Sequence, residues 1–340
     1  MAKTYRRWVL AQRPTGMPDA STFRMEEVPI PEPGEGQVLV RNLYLSIDPY
    51  MRGRLRDVES YAPSVKLGEV MVGGVAGQVV ASRNARFAEG TFVNGMFGWQ
   101  EYALSDGRGV RILDPKQAPI STSVGILGMP GMTAYFGLLD LGKPKAGETV
   151  AVSAAAGAVG GLVGQIAKIQ GCRTVGIAGG KAKCDYIVKE LGYDAAIDYK
   201  AESDLRAAVK KACPKGVDVY FDNVGGPISD AVIVNLNLRA RVPICGQISQ
   251  YNRESPELGP RLSWVLLTKR ARMEGFIISD YGERWGEGLA QMGEWLRQGK
   301  LKYKEDIVRG LENAPAALQA VLEGRNFGKQ LVQLAEMPAT

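Results

Sequence analysis

Residues 148–169 read ETVAVSAAAGAVGGLVGQIAKI. The apolar run from Thr149 to Ser153 predicts a buried strand, and residues 159–169 predict the helix that follows a tight turn. In that turn Gly157 lets the backbone approach a pyrophosphate, Gly160 lets helix and strand pack closely, and the first N–H groups of the helix attract anions. Strand, glycine turn and helix together predict a dinucleotide site, although in isolation the pattern also fits a tight turn without a ligand.

The next predicted strand, residues 174–178, ends in Gly179-Gly180-Lys181-Ala182-Lys183. An NAD enzyme usually places an Asp or Glu here, about 20 residues after the turn, to hold the ribose hydroxyls. No acid is present, and the two lysines would instead attract the adenosine 2′-phosphate. The lysines could also merely solvate the start of a helix, but a cation is mildly unfavourable at a helix N-terminus. The segment therefore predicts NADP(H) rather than NAD(H).

From about residue 148 onward strands and helices alternate, which is typical of a parallel sheet covered by helices. We predict further strands at residues 195–199, 217–222, 241–245 and 272–278, and helices at residues 183–191, 204–212, 228–238 and 285–297. With the first two strands this makes six, the full count of a doubly wound (Rossmann) α/β fold. Residues 1–122 instead consist of short apolar runs broken by Gly and Pro, which indicates a β-rich unit. We predict two domains, residues 123–299 with the Rossmann sheet and residues 1–122 completed by residues 300–340.

Histidine is absent from the chain, which removes the side chain most often used for acid–base catalysis and transition-metal binding. All four cysteines, at positions 172, 184, 213 and 245, follow the glycine turn, so neither a catalytic Cys/His zinc site nor a four-Cys zinc lobe can form. We therefore predict no metal site. Without a Lewis acid to polarise a carbonyl, activated acceptors such as enones or quinones are favoured over simple alcohols.

The charge and cysteine content also bear on partners and location. The net charge of +6 comes from 42 basic and 36 acidic residues spread along the chain, without the basic runs typical of nucleic-acid binding. No segment approaches the ~20 apolar residues of a membrane span. Sparse cysteines favour a reducing compartment. We expect a cytoplasmic protein with a small-molecule substrate, and neither nucleic acid nor membrane as a partner.

Further motifs carry a resemblance to a known family: NLYLSIDPYMRG at residues 42–53, LGMPGMTAY at 127–135, FDNVGG at 221–226 and GQISQYN at 246–252. Nearly end to end, the chain resembles the zinc-free medium-chain dehydrogenase/reductases of the prostaglandin reductase, alkenal double-bond reductase and curcumin reductase branch. The resemblance implies a GroES-like substrate domain beside the Rossmann domain, a homodimer, and NADPH/NADP+ as cofactor. It further implies reduction of the carbon–carbon double bond of α,β-unsaturated ketones and aldehydes.

The resemblance also assigns residues to the cofactor and the substrate. The cofactor would contact Met129, Thr133, Gly157, Ala158, Val159, Gly160, Lys183, Tyr199, Asn223, Cys245, Gly246, Gln247, Ile248, Ser249, Gln250, Tyr251, Phe276, Ile277, Ile278 and Asn326. Of these, Lys183 and Tyr199 would hold the 2′-phosphate. Tyr50 and Tyr61 would form an aromatic wall for the substrate, a role for which Tyr61 could equally be a packing residue. The chain departs from the family pattern in two places: Arg239 stands where relatives often have histidine, and Gly180-Lys181 replaces a more polar or acidic pair before Lys183.

Reduction of an enone places negative charge on the carbonyl oxygen as hydride adds to the β-carbon, so that oxygen needs a hydrogen-bond donor. A tyrosine hydroxyl is suitable because a phenol with a pKa near ~10 stays protonated at neutral pH. We predict Tyr251, which follows the strand end at Cys245, as the catalytic donor. A ribose hydroxyl of the cofactor is the other candidate, and Tyr251 could instead only pack. The α-carbon proton would come from Tyr251 or from water, and a quinone reductase or a non-catalytic NADPH-binding protein are the competing functions.

Overall fold

The computed structural model describes residues 3–338. Its strands are β1 (Thr4–Leu10), β2 (Phe23–Pro29), β3 (Val38–Ser46), β4 (Val75–Ser82), β5 (Phe92–Gly95), β6 (Tyr102–Ser105), β7 (Arg111–Leu113), β8 (Thr149–Ser153), β9 (Arg173–Ala178), β10 (Ala195–Asp198), β11 (Val217–Phe221), β12 (Leu236–Ile244), β13 (Arg272–Gly275), β14 (Glu305–Arg309) and β15 (Lys329–Gln333). Its α-helices are α1 (Met51–Arg54), α2 (Met129–Phe136), α3 (Gly160–Ile169), α4 (Lys181–Lys189), α5 (Leu205–Ala212), α6 (Gly226–Ile233), α7 (Ser263–Lys269), α8 (Trp285–Arg297) and α9 (Ala314–Leu322). Within residues 3–338, no helix combines the length and the apolar character that crossing a membrane requires.

The chain divides into two compact units, one up to Gly125 and again from Glu305 on, the other Ile126–Lys304. The predicted first domain also included residues 1, 2, 339 and 340, which lie outside the described residues. In the first unit a seven-stranded sheet has the order β14-β15-β3-β4-β5-β7, with β6 also paired to β3, and β1 and β2 form a separate antiparallel pair. Alternate side chains of β3 and β4 face the core, where Val40, Leu45 and Val75 are fully buried.

A buried ion pair joins the N-terminal and C-terminal parts of the first unit. Lys329, at the start of β15, places its Nζ 2.8 Å from Asp48 Oδ1 and 2.8 Å from the carbonyl oxygen of Ile47. The second carboxylate oxygen of Asp48 accepts a hydrogen bond from the Ser46 hydroxyl. Because both charged side chains are almost fully buried, each charge depends on the other to offset the cost of its removal from water.

In the second unit the strands form a parallel sheet in the order β10-β9-β8-β11-β12-β13. The central strand β8 is buried along its whole length, which explains its uninterrupted run of small and apolar residues. The chain builds outward from β8 to β10 and then returns to β11, so the topological switch point lies between β8 and β11. The six-stranded Rossmann sheet, together with a β-rich unit, confirms the predicted fold class.

Two predicted elements of the second unit were wrong in their bounds. The predicted helix 228–238 ends at Ile233, and Leu236 already belongs to β12. The apolar run at residues 231–234, followed by alternating Asn and Leu, does not separate a helix from a buried strand by its pattern. β12 then bulges between Leu236 and Arg241, with Arg239 in the left-handed conformation at φ 61°. The predicted strand 272–278 ends at Gly275.

Candidate active site

The glycine turn between β8 and α3 is held tightly by its own backbone. Ala154 adopts the left-handed conformation at φ 51°, and its carbonyl oxygen accepts a hydrogen bond from Gly157 N–H at 2.9 Å. A Cβ added at Gly160 would lie 2.4 Å from the same Ala154 oxygen, closer than any real Cβ contact. Gly160 is therefore required where α3 starts, and the turn cannot accommodate any larger residue there without opening.

The start of α3 presents backbone donors that the protein does not use. Gly161 N–H donates to the carbonyl of Gly157 at 3.0 Å. By contrast, the N–H groups of Ala158, Val159 and Gly160 have no acceptor within residues 3–338. Several N–H groups at the positive end of a helix dipole form a site for an anion. The geometry therefore fits the pyrophosphate of a dinucleotide.

Tyr193 packs directly against α3. Its ring lies against Gly164, where an added Cβ would meet the ring at 2.0 Å. Its hydroxyl donates to the carbonyl oxygen of Gly160 at 2.6 Å, and the side chain is almost fully buried. The first residue of the helix is thus anchored by a rigid aromatic side chain, which preorganises the donors at the helix start.

The residue after β10 lies against the end of β9, the strand that pairs with β8. An added Cβ at Gly179 would lie 2.9 Å from the Tyr199 hydroxyl, so Tyr199 covers the end of β9. Gly180 has φ 95°, and its N–H donates to Asp198 Oδ1 at 2.7 Å. Lys183 lies one turn into α4, and its N–H donates to the Gly180 carbonyl at 3.1 Å. The two residues expected to hold the 2′-phosphate, Lys183 and Tyr199, thus flank the same glycine pair.

The two lysines of this segment differ in their surroundings. Lys181 Nζ lies 2.6 Å from Asp185 Oδ2, one turn further along α4, and this carboxylate also contacts Lys189. Hydrogen bonds from these lysines hold the pKa of Asp185 below its usual value. The Asp185 carboxylate therefore compensates part of the Lys181 charge, which weakens Lys181 as a candidate for a phosphate contact.

Replacing Lys183 with alanine should weaken NADPH binding by about 10- to 100-fold, since a hydrogen bond to a charged group contributes about 1.5–3 kcal/mol. NADH binding should not change, because NADH lacks the 2′-phosphate. Fluorescence titration of the purified variant with each cofactor measures both constants. Lys181→Ala is the matched control, and its NADPH affinity should stay within about threefold of the wild type, because exposed i,i+4 pairs contribute little. Equal losses of affinity for NADPH and NADH in Lys183→Ala would exclude a contact between this residue and the 2′-phosphate.

At the end of β11, Asn223 is held against the end of β8. Its backbone N–H donates to the Ser153 hydroxyl at 2.9 Å, and its side-chain Nδ2 donates to the Ser153 carbonyl at 2.8 Å. Its own carbonyl accepts from Ile248 N–H at 3.4 Å. Asn223 therefore bridges the ends of β8 and β11 and the loop that follows β12.

The loop after β12 folds back on itself so that Tyr251 covers its own start. The Tyr251 hydroxyl accepts a hydrogen bond from Gln247 N–H at 3.3 Å, and an added Cβ at Gly246 would lie 3.0 Å from this hydroxyl. The Ser249 hydroxyl donates to the Val224 carbonyl at 2.7 Å, which connects the loop to the turn after β11. Tyr251 is thus presented at the carboxyl edge of the sheet, where a doubly wound fold holds its cofactor.

Cys245 lies at the start of this loop beside a buried carboxylate. Burial, with a smaller contribution from Asp222, raises the pKa of the Cys245 thiol to about 12. At neutral pH the group is a thiol rather than the reactive thiolate. The Cys245 thiol is therefore a poor nucleophile.

Five further predicted cofactor residues lie in α2 and in the segment after β13. The Thr133 hydroxyl donates to the Met129 carbonyl at 2.7 Å within α2. Phe276 follows β13 and packs edge-on against Phe221, with ring centroids 6.2 Å apart. An added Cβ at Gly137 would lie 2.4 Å from the Phe276 ring, so the chain after α2 passes directly against it. Ile277 and Ile278 continue from Phe276 and are half-buried.

The remaining predicted site residues, Tyr50, Tyr61 and Asn326, belong to the first unit. Tyr50 immediately precedes α1, and burial raises the pKa of its hydroxyl, which remains protonated. Tyr61 lies in the long loop before β4 and is 59% exposed. The guanidinium carbon of Arg54 lies 5.8 Å from the Tyr50 ring and 5.7 Å from the Tyr61 ring, so one cation holds both tyrosines by cation–π contacts. Asn326 precedes β15, and its Nδ2 donates to the Gly328 carbonyl.

The sequence interpretation missed several polar residues that contact the predicted site residues of each unit. Ser153, Tyr193 and Asp222 touch the predicted cofactor residues directly, and Arg54 contacts both predicted substrate tyrosines. The signal that could have found Asp222 is a carboxylate directly after the apolar strand Val217–Phe221, since a charged residue at a buried strand end needs partners.

Comparison with known proteins extends these observations. A model of the N-terminal domain of oxidoreductases matches residues 6–113, and a zinc-binding dehydrogenase model matches residues 158–294. Within the described part of the chain, no group of three or more His, Cys, Asp or Glu side chains is placed to hold a metal ion.

Two curated proteins and one crystal structure match almost the whole chain. The NADPH-dependent curcumin reductase of Escherichia coli (strain K12) is 50% identical over 336 residues, covering 97% of each chain. The NADP(+)-dependent 2-alkenal reductase of Nicotiana tabacum is 46% identical over 333 residues, covering 96% of each chain. The structure of CurA from Vibrio vulnificus in complex with NADPH is 51% identical, covers 98% of this chain and 100% of its own, and superposes with a TM-score of 0.94.

Proposed function

This chain belongs to the zinc-free medium-chain dehydrogenase/reductase family, in the branch of the curcumin, alkenal and prostaglandin reductases, and from that premise we propose its reaction. The protein uses NADPH to reduce the carbon–carbon double bond of α,β-unsaturated ketones and aldehydes. One observation carries the proposal: a preformed dinucleotide site, with unused amides at the start of α3, lies in a chain that matches double-bond reductases nearly end to end.

The residues of the second unit fit NADPH in charge and shape. The N–H groups of Ala158, Val159 and Gly160 would hold the pyrophosphate, and Lys183 with Tyr199 would hold the 2′-phosphate. Asn223, the Cys245–Tyr251 loop and Phe276 would line the other half of the cofactor. When bound, NADPH supplies the hydride for the reduction.

Tyr251 is the proposed donor for the substrate carbonyl. In the reaction the carbonyl oxygen gains negative charge as it becomes an enolate, and a hydroxyl in place stabilises that charge. The Gln247 N–H, which donates to the phenol oxygen, holds that oxygen in place. Tyr50 and Tyr61 would contact the apolar body of the substrate.

Replacing Tyr251 with phenylalanine should lower kcat by about 10- to 100-fold, less than the usual loss of about 100- to 1000-fold for one oxyanion donor, because a ribose hydroxyl can partly substitute. NADPH affinity should stay close to that of the wild type, since the ring remains in place. Steady-state kinetics with a conjugated enone and a separate NADPH titration distinguish these quantities. Tyr102→Phe, on β6 of the first unit, is the control and should leave both unchanged. An unaltered kcat in Tyr251→Phe would exclude the donor role.

The proposed substrate class is tested by a panel of acceptors assayed side by side. NADPH oxidation should be fastest with conjugated enones and enals and much slower with NADH as the reductant. Preference for quinones over enones would instead identify a quinone reductase. Tight NADPH binding without reduction of any acceptor would leave only a cofactor-binding role.

We further propose that the protein is a homodimer built on one edge of the Rossmann sheet. β13 forms that edge, and the preceding helix α7 exposes Trp264 and Leu267, at 71% and 68%. An unpaired edge strand beside large exposed apolar side chains is a surface that soluble proteins usually cover.

Replacing Trp264 with glutamate should convert the dimer to a monomer, because a charge in the centre of an apolar interface is unfavourable. Light scattering after size exclusion measures the mass directly. Val58→Glu, an exposed apolar position in the first unit, is the control and should leave the dimer intact. A monomeric wild type would contradict the proposal.

We also place the protein in the cytoplasm. Its four cysteines are free thiols, which supports a reducing compartment. Fractionation of cells that express the full chain, with antibody detection, tests this location.

A further inference from the structure

Asp222 is a buried carboxylate at the end of β11, only 2% exposed. Its Oδ1 accepts hydrogen bonds from the Tyr220 hydroxyl at 2.9 Å and from the N–H groups of Val224 and Gly225, both at 3.0 Å. The Ser153 hydroxyl lies 3.2 Å from the same oxygen, and the Ser229 hydroxyl donates to Oδ2 at 2.7 Å. Neutral donors thus surround the carboxylate, and no Lys or Arg of residues 3–338 lies within ion-pair distance of it.

These donors come from different elements of the sheet edge. Ser153 ends β8, Val224 and Gly225 form the turn into α6, and Ser229 belongs to α6 itself. The Asp222 backbone carbonyl adds the next strand, because it accepts from Cys245 N–H at 2.8 Å and Gly246 N–H at 3.2 Å. One residue therefore connects the carboxyl ends of β8, β11 and β12.

The connected residues adjoin the proposed cofactor contacts. The Ser153 hydroxyl that lies beside Asp222 also accepts the Asn223 N–H. Gly246 lies under the Tyr251 hydroxyl. A buried carboxylate without a counter-ion is costly for folding. Here that cost is offset by hydrogen bonds from the Tyr220 and Ser229 hydroxyls and from the amides of the turn into α6.

We propose that Asp222 is a positioning residue, which fixes the ends of β8, β11 and β12 as one rigid platform for the nicotinamide half of NADPH. It touches neither substrate nor reacting atoms and acts through Ser153, Asn223 and Gly246. The inference rests on the proposed use of NADPH but not on the substrate class.

The test compares Asp222→Ala with Asp218→Ala, a matched change near the amino end of the same strand. Asp218 accepts from Thr149 N–H and from Asn237 Nδ2, both at 2.8 Å, at the amino ends of β8 and β11. NADPH dissociation constants are measured by fluorescence titration and thermal stability by calorimetry. Asp222→Ala should raise the dissociation constant by about 10-fold or more, the effect of one or two misplaced hydrogen bonds to the cofactor. Asp218→Ala should stay within about twofold for a similar loss of stability.

Asp222→Asn supplies the conservative variant. Its amide oxygen can still accept from the Val224 and Gly225 amides, and its amide group can donate to Ser229, so NADPH affinity should recover to within about threefold of the wild type. Equal affinity losses in Asp222→Ala and Asp218→Ala would overturn the proposal, because stability alone would then explain them.

If Asp222→Ala does not fold, the Ser153→Ala variant tests the positioning role instead. It removes the hydroxyl between Asp222 and Asn223 and should still raise the NADPH dissociation constant by about threefold to 10-fold, as expected for one hydrogen bond. Unchanged affinity in Ser153→Ala would refute the positioning role. Because these readouts are binding constants, a protein that binds NADPH through this platform and reduces no enone would refute the proposed function alone.

Discussion

We expect Gly160→Ala to weaken NADPH binding by about 100-fold or more, since at least two hydrogen bonds to phosphate, each about 1.5–3 kcal/mol, would be misplaced. The added Cβ would lie 2.4 Å from the carbonyl oxygen of Ala154 and 2.9 Å from the Cα of Ala155. Both neighbours are backbone atoms of a turn whose 2.9 Å hydrogen bond joins Ala154 and Gly157. The turn must open to admit the methyl group, and the amides of Ala158 and Val159 then move away from the pyrophosphate.

Gly293→Ala is the control for this substitution. Gly293 lies within α8, and an added Cβ there meets nothing within 4 Å. Its alanine variant should bind NADPH as the wild type does and be slightly more stable, because alanine is the better helix former by about 1 kcal/mol. Isothermal titration with NADPH measures both variants. Wild-type affinity in Gly160→Ala would show that the pyrophosphate does not lie on this turn.

Replacing Lys329 with methionine should destabilise the first unit by about 3–5 kcal/mol, the usual result of leaving one buried charge without its partner. The Asp48 carboxylate would keep only the Ser46 hydroxyl of its side-chain partners. Tyr50 follows Asp48 by two residues, so the same change should also raise the KM for enones. Urea unfolding followed by circular dichroism measures the loss of stability.

The controls for Lys329 separate a buried from an exposed pair. Arg309→Met breaks an ion pair with Glu336 whose two side chains are 77% exposed, and it should cost less than about 1 kcal/mol. Adding Asp48→Asn to Lys329→Met removes the second buried charge and should recover part of the stability. A Lys329→Met variant as stable as Arg309→Met would show that the pair contributes nothing.

The parts of this protein that the sequence could predict are those determined by neighbouring residues. The glycine turn at Gly157 and Gly160 and the strand Thr149–Ser153 follow from local pattern, and the structure has them. The NADP preference also followed from a short segment, because a missing acid and a lysine can be read without knowing the fold. NADP-dependent relatives along the whole chain confirm the predicted cofactor.

The features that the sequence could not predict depend on contacts between distant segments. The hydrogen-bond donors to Asp222 come from β8, β11 and α6. No local sequence pattern predicts that these donors meet at one carboxylate. The ion pair of Lys181 with Asp185 could have been found from its i,i+4 spacing. The boundary between α6 and β12 was missed because an apolar run of this kind suits a helix and a buried strand equally.

The position of a transferred label tests the central claim most directly. With NADPH that carries deuterium at the transferable position of nicotinamide C4, reduction of a conjugated enone should yield the saturated ketone with one deuterium on the β-carbon, as seen by NMR. An allylic alcohol with deuterium on the carbinol carbon would show carbonyl reduction instead and contradict the account, as would a failure to consume any enone.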